Sequence, residues 1–310
     1  MDNMNTNNKE NSDFKCISDN FETIPDSIAS DFKFPEAHNN LQDMINLSKA
    51  MKEVKKDMFC RLPFCNTIEA EAFGAIIKLG DNKYGPRVDK YLISSNEELA
   101  DFESILDIDL SMKKGRINNV ITAAQELVNS GEYVILNICG PFTVVSALMD
   151  PKIFYKELRK NPENAKKLLN YIEDGIVNYM VEGAKSGAKI ISYSDSVGTL
   201  DIVGPRIFKN YSGISNKRII EQYKSIMEGL PSYNPILHVC GKLSCSFENV
   251  DMYSQCPVDC NTTTKNYGEV LLDITNSNDA DKNKTTTVLA NACIKKTRSR
   301  LKNSTIYELK

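Results

Sequence analysis

The chain has 310 residues, a hydrophobic fraction of 41% and a formal net charge of −3; that is enough for a sizeable core and suits a single α/β barrel of about 250 residues. Lysines are dispersed among acids, which excludes a basic stripe for nucleic acid or a polybasic membrane anchor, and no apolar run reaches transmembrane length. The nine cysteines are odd in number and follow no amino-terminal apolar signal segment, so the sequence predicts a reducing cytoplasmic setting with thiols unbridged or bound to metal.

Residues 1–37 are rich in Asn, Asp and Ser and predict a mobile tail; residues 38–310 predict one domain. Leu41, Met44, Ile45, Met51 and Val54 have helical spacing, and 58–64 reads as a first strand. Beyond it, Thr67 is placed to cap a short helix carrying Glu69 and Glu71 in its first turn, where acids offset the helix dipole. Ser95 and Glu98 have capping-box spacing. Ile117, Val120, Ile121, Ala124 and Leu127 form an apolar helical face that Gly131 closes. Then Tyr133-Val134-Ile135-Leu136-Asn137-Ile138 predicts a buried strand, broken by Cys139-Gly140-Pro141. A helix over about 162–185, a strand over 189–194 ending at Asp195, a helix near 216–228 and a strand into His238 complete a β, α, β, α order. That order predicts parallel strands joined by helices.

Reactive residues gather at one kind of place. Asn66 and Glu69, Asn137 and Cys139 with Gly140 next in the chain, Asp195, and His238 with Cys240 all lie at or just beyond the carboxyl ends of the predicted strands, which is the functional face of α/β folds. His238 and Cys240 fall on one side of their strand and are suited to zinc, although two ligands do not make a site. No G-x-G-x-x-G follows a strand and no G-x-x-x-x-G-K-[ST] occurs, which weighs against nucleotide binding.

The stretch Ile138-Cys139-Gly140-Pro141-Phe142-Thr143, the pair Ser194-Asp195 and above all His238-Val239-Cys240-Gly241 resemble the uroporphyrinogen decarboxylase superfamily of (β/α)8 TIM-type barrels. The block from Arg61 to Gly74 and Gly85-Pro86-Arg87-Val88 are more similar to its MtaA/MtbA-type branch, zinc-dependent enzymes that move a methyl group from a methylated corrinoid protein to a thiol such as coenzyme M. What the resemblance implies is an H-x-C…C zinc site of His238, Cys240 and Cys293, with Val288-Leu289-Ala290 as the strand before Cys293 and Leu301 and Asn303 after it. It further implies a corrinoid protein and a small thiol as partners. Three protein ligands would leave one position open, as in catalytic zinc sites. Decarboxylation of a tetrapyrrole, the wider family's activity, is the alternative. It is disfavoured because Arg61 is the one arginine between Met58 and Gly80, too few to clamp several carboxylates.

Several readings stay open at this level. Asp195 either orients His238 or substrate, or caps the following turn; Glu69 and Glu71 either compensate a helix dipole or supply a displaceable zinc ligand. Cys240, Cys245, Cys256 and Cys260 offer a zinc knuckle, though without the tight C-x2-C form. Cys16, Cys60, Cys65 and Cys139 read as small packing residues. Only 52 residues separate Cys240 from Cys293, and the polar runs 261–265 and 276–284 lack helical periodicity. The barrel is therefore expected to be shortened or irregular on its carboxyl-terminal side, beyond Arg300 only a short helix is expected, and a module that binds zinc or corrinoid without turnover remains a reading.

Overall fold

Helical stripes and apolar strand runs fold where their spacing places them through the middle of the chain. The computed structural model describes residues 23–106, 114–259, 265–280, 286–300 and 305–310. Helices α1 (Asp26–Ala29) and α2 (Leu41–Val54) precede β1 (Phe59–Leu62). The Asn40 side chain caps α2 by accepting from the N–H groups of Gln42 and Asp43 at 2.9 and 3.2 Å. After α3 (Ile68–Ala72) comes a hairpin, β2 (Ile76–Lys78) with β3 (Arg87–Lys90), that the pattern did not signal. Then follow α4 (Asn96–Ala100), α5 (Phe102–Ile105), α6 (Gly115–Asn129) and β4 (Tyr133–Cys139). Ser95 caps α4 as its spacing predicts, accepting from Glu98 N–H at 3.1 Å. Thr67 does not cap α3; its hydroxyl accepts from the Arg116 guanidinium at 2.8 Å.

The next units are α7 (Pro141–Leu148), α8 (Pro151–Lys160), α9 (Pro162–Lys185) and β5 (Ile190–Ser194), then α10 (Leu200–Ile207), α11 (Gly213–Glu228) and β6 (Ile236–Cys240). The chain ends with α12 (Gly241–Glu248), β7 (Gln255–Asp259), α13 (Tyr267–Ala280), β8 (Val288–Ala292) and β9 (Thr305–Leu309). No described helix is long and apolar enough to cross a membrane.

The main sheet runs β1-β4-β5-β6-β8-β9-β7. Its first five strands are parallel, and β9 lies antiparallel between β8 and β7. This is an α/β fold with a mostly parallel sheet. Among the described residues no pairing joins the two ends of the sheet, so the expected closed barrel is not what the strand order records. The departure lies where the short interval between Cys240 and Cys293 placed it. Strand β7 does not enter between β6 and β8, which pair directly; it stands at the outer edge, where Pro257 is tolerated because an edge strand can spare one donor.

Three expectations are corrected. The run beginning at Asn276 is helical as far as Ala280, with Asn278 buried against Thr287 at 3.3 Å. Beyond Arg300 residues 305–309 form a strand, not a helix, because Ile306 and Leu309 are buried when β9 pairs with β8 and β7. Within the expected tail, Ile24 and Ala37 are buried at 2% and 0% exposure, so packed chain begins before residue 38. Residues 1–22, Leu301 and Asn303 lie outside the described residues.

The two faces of the sheet bury different clusters. Val134, Leu136, Ile191, Leu237 and Ala290 pack toward the surrounding helices. Phe59, Ile135, Ile190, Ile236 and Leu289 face the other way, onto Tyr267, Val270 and Leu271 of α13. Alternation along each strand is the cause. Helix α13 thus occupies the face that would be a barrel's interior, with Gly268 set so close to Met58 and Thr297 that an added Cβ would lie 3.3 Å from each.

Candidate functional site

Cross-strand rows on the α13 side become polar toward the strands' carboxyl ends. One row aligns Arg61, Ile135, Ile190 and Ile236. The next aligns Asn137, Ser192, His238 and Leu289. Beyond it Cys139 stands opposite Ser194, and Cys240 opposite Ala292, with Cys293 following immediately. Parallel registry therefore brings His238, Cys240 and Cys293 to the ends of two neighbouring strands.

His238 is fully buried, its ring packed edge-on to Tyr267 with centroids 5.9 Å apart. Neither ring nitrogen has a hydrogen-bond partner. Burial, aided by the nearby Arg61 charge, pulls the imidazole pKa down to about 4, so the ring is neutral and keeps a lone pair at neutral pH. Two unpartnered nitrogens in a dry interior are costly unless something accepts or coordinates them. Cys293 is buried and Cys240 half-buried. The donor chemistry of one imidazole and two thiols fits zinc, yet among the described residues no three His, Cys, Asp or Glu side chains are gathered closely enough to hold an ion.

The knuckle alternative is placed apart. Cys256 lies on β7, three strand positions from β6, on the order of 14 Å at ordinary strand spacing. Cys245 instead donates to Asn291 Oδ1 at 3.2 Å, and Cys260 is outside the described residues. None of the described cysteines is in a disulfide.

Asp195 makes no hydrogen bond to the His238 ring, and its side chain caps the start of α7 instead of the turn that follows it. Its fully buried carboxylate accepts from Phe142 N–H at 3.2 Å, from Thr143 N–H and hydroxyl at 2.8 Å each, and from Asn216 Nδ2 at 2.9 Å. These first N–H groups of α7 have no partner within the helix, so Asp195 caps the preceding unit's helix from the neighbouring strand end. Burial pushes its pKa up, opposed by the bonds it accepts. No hydrogen bond links it to His238. The glycines around it are required: an added Cβ would lie 2.4 Å from Asp195 Cβ at Gly140 and 2.2 Å from Asp195 Oδ2 at Gly198. Gly140 is thus filled by its own chain and does not offer an open cradle.

Glu69 is nearly fully buried and so is not simply a surface counter-charge to a helix dipole. Its Oε1 accepts from Cys139 N–H at 2.7 Å, while Oε2 has no hydrogen-bond partner. Burial pushes its carboxyl up to about 7 and the Cys139 thiol well above its usual range. Beside them Arg116, a residue the sequence reading did not single out, donates to Glu71 Oε2 at 2.6 Å and to Cys65 Sγ at 3.5 Å. Asn66 sits half-buried in the turn before α3.

A raised carboxyl pKa favours folding while the group is protonated, so this part of the stability is present below an unfolded value near 4.5 and is lost as pH rises through about 7. Glu69→Gln removes the titration and keeps an acceptor for Cys139. Denaturation across the window from about pH 4 to pH 8 is expected to shift the stability difference toward the variant by up to about 3 kcal/mol. A pH-independent difference would mean that Glu69 is not held in a dry site.

Comparison with known proteins follows the same lines. The family model described as uroporphyrinogen decarboxylase (URO-D) matches residues 26–267. The chain is 27% identical over 224 residues to the methylcobamide:CoM methyltransferase MtbA of Methanosarcina acetivorans, covering 71% of this chain and 62% of that protein. It is 27% identical over 230 residues to the methylcobamide:CoM methyltransferase MtaA of Methanosarcina barkeri, covering 71% of this chain and 64% of the relative. The chain thus spans less than two thirds of the length of these relatives. A solved structure, a methyltransferase from Methanosarcina mazei, superposes with a TM-score of 0.60 at 24% identity, over 74% of this chain and 66% of the other. That likeness concerns the fold.

Proposed function

This chain belongs to the uroporphyrinogen decarboxylase family, and from that membership we propose that it moves a methyl group from a methylated corrinoid, carried by a partner protein, to a small thiol such as coenzyme M. The observation that carries this reading is His238, neutral, buried and with both ring nitrogens unpartnered, at a strand end beside Cys240 and next to the strand end bearing Cys293. We assign these three residues as the holders of zinc. A zinc ion bound there would leave one position open and would supply the Lewis acidity that makes a thiol a thiolate at neutral pH. In the overall reaction the sulfur gains the methyl carbon as the cobalt–carbon bond breaks, and the bonding pair stays on cobalt.

The chain's own residues set the conditions. Burial keeps the His238 ring uncharged, and Tyr267 fixes its plane from the α13 side. Asp195 holds the start of α7, which places Cys139 and Gly140 at the neighbouring strand end. We place Glu69, with Asn66 and Cys139, on the substrate side of this face, where a carboxyl titrating near 7 can hold a proton at Oε2.

Decarboxylation fits less well. Arg61 and Arg116 are exposed at only 7% and 2% and are committed to Asp57 and Glu71 within the chain, so neither is available to clamp a substrate carboxylate. Calorimetry of coenzyme M binding to zinc-loaded protein, in buffers of different ionisation enthalpy, tests the proposal. Near pH 7 the release of about one proton per thiol bound is expected. Binding without proton release in Glu69→Gln protein, where that carboxylate cannot take up the proton, would rule out thiolate formation.

A further inference from the structure

Where a closed sheet would pair its first and last parallel strands, β1 and β8 are not paired, and a set of buried side-chain bonds spans the gap. Arg61 Nη1 donates to Ile294 O at 2.9 Å, the carbonyl directly after Cys293, and Nη2 donates to Thr297 Oγ1 at 2.9 Å. The same guanidinium is held by Asp57 Oδ2 at 2.8 Å, and the Thr297 hydroxyl lies 2.9 and 3.0 Å from the two Asp57 oxygens. Both ends of the ion pair have side chains 8% exposed. Gly268 N–H donates to Thr297 O at 2.7 Å, which anchors the start of α13 on the same turn.

We propose that Asp57, Arg61 and Thr297 form a latch that sets the position of Cys293, so that Arg61 is a positioning residue for the third ligand; its functional meaning rests on the reading of Cys293 given above. The geometry carries it. A planar guanidinium directs several donors at fixed angles, so one side chain holds the carboxylate, the carbonyl and the hydroxyl together. The turn 294–297 has no strand pairing of its own to β1, and Cys293 sits at its start. Loss of the fork therefore frees the Ile294 carbonyl next to Cys293 and leaves the turn to the Thr297–Asp57 bonds and the α13 contact further along.

Site-resolved alkylation tests this on the full chain stripped of metal by chelator, so the result does not depend on zinc binding or turnover. Labelling with iodoacetamide is followed by mass spectrometry at Cys293 and at Cys139, a buried cysteine on the far side of β5 and β6. In Arg61→Met, and more mildly in Thr297→Val, Cys293 is expected to react about tenfold faster with Cys139 unchanged, because local opening exposes only the released segment. An unchanged Cys293 rate in both variants would overturn the latch. A parallel rise at both cysteines in both variants would overturn it too, since that marks global loosening. Either failure leaves the zinc assignment standing, and loss of zinc without altered labelling would leave the latch refuted on its own.

Discussion

His238→Ala, Cys240→Ala and Cys293→Ala proteins are expected to lose their bound zinc on dialysis, while Cys256→Ala keeps it. With three protein ligands, removing any one leaves two, and affinity is expected to fall by at least about 100-fold, more than losing a residue that only hydrogen-bonds a ligand produces. Metal analysis after gel filtration reads this directly. The contrast with Cys256 follows from the sheet: β8 lies beside β6, whereas β7 lies beyond β9. Loss of zinc from Cys256→Ala, with retention in His238→Ala, would reverse the assignment in favour of the knuckle. His238→Ala carries a second readout, because removing the ring also removes two buried, unpartnered nitrogens. Its stability is therefore expected to fall less than a buried, fully bonded histidine would cost.

Asp195→Ala is expected to destabilise the fold by about 4 kcal/mol, because three donors on α7 and the Asn216 amide lose a buried acceptor together. The cavity between Gly140 and Gly198 adds to the cost, since both glycines are shaped around that carboxylate. Asp195→Asn keeps one acceptor oxygen and is expected to cost about half as much. Urea denaturation measures both. If Asp195→Ala left stability within about 0.5 kcal/mol of the parent and removed activity alone, the residue would be acting on substrate and not as a helix cap.

Sequence pattern made some elements readable and hid others for identifiable reasons. The strands at Tyr133–Cys139, Ile190–Ser194 and Ile236–Cys240 were legible because both of their faces are buried, which leaves continuous apolar runs. The polar strand ends were legible as a shared face for the same reason: an interruption of such a run by Asn137, His238 or Cys139 stands out. Strands β7 and β9 were not: the edge strand β7 carries Pro257, and β9 mixes polar with apolar residues, so both resemble loops. The carboxyl-terminal irregularity could be sensed from the short interval before Cys293, but the direct pairing of β6 with β8 could not. Roles fared worse than positions. Asp195 finds its donor partners at Phe142 and Thr143, and Arg61 its acceptor partners at Ile294 and Thr297. No local period encodes contacts between segments so distant in the chain. Arg116 was missed because a single charged residue at the start of an apolar helix carries no signal of burial.

Thiol-dependent demethylation of free methylcobalamin by zinc-containing protein, followed through the cobalt spectrum with coenzyme M and a panel of other small thiols, tests methyl transfer directly. Loss of the methylcobalt absorbance with formation of the matching methyl thioether is expected, and no such change with Cys293→Ala. Zinc-containing protein that demethylates with none of the thiols would contradict it.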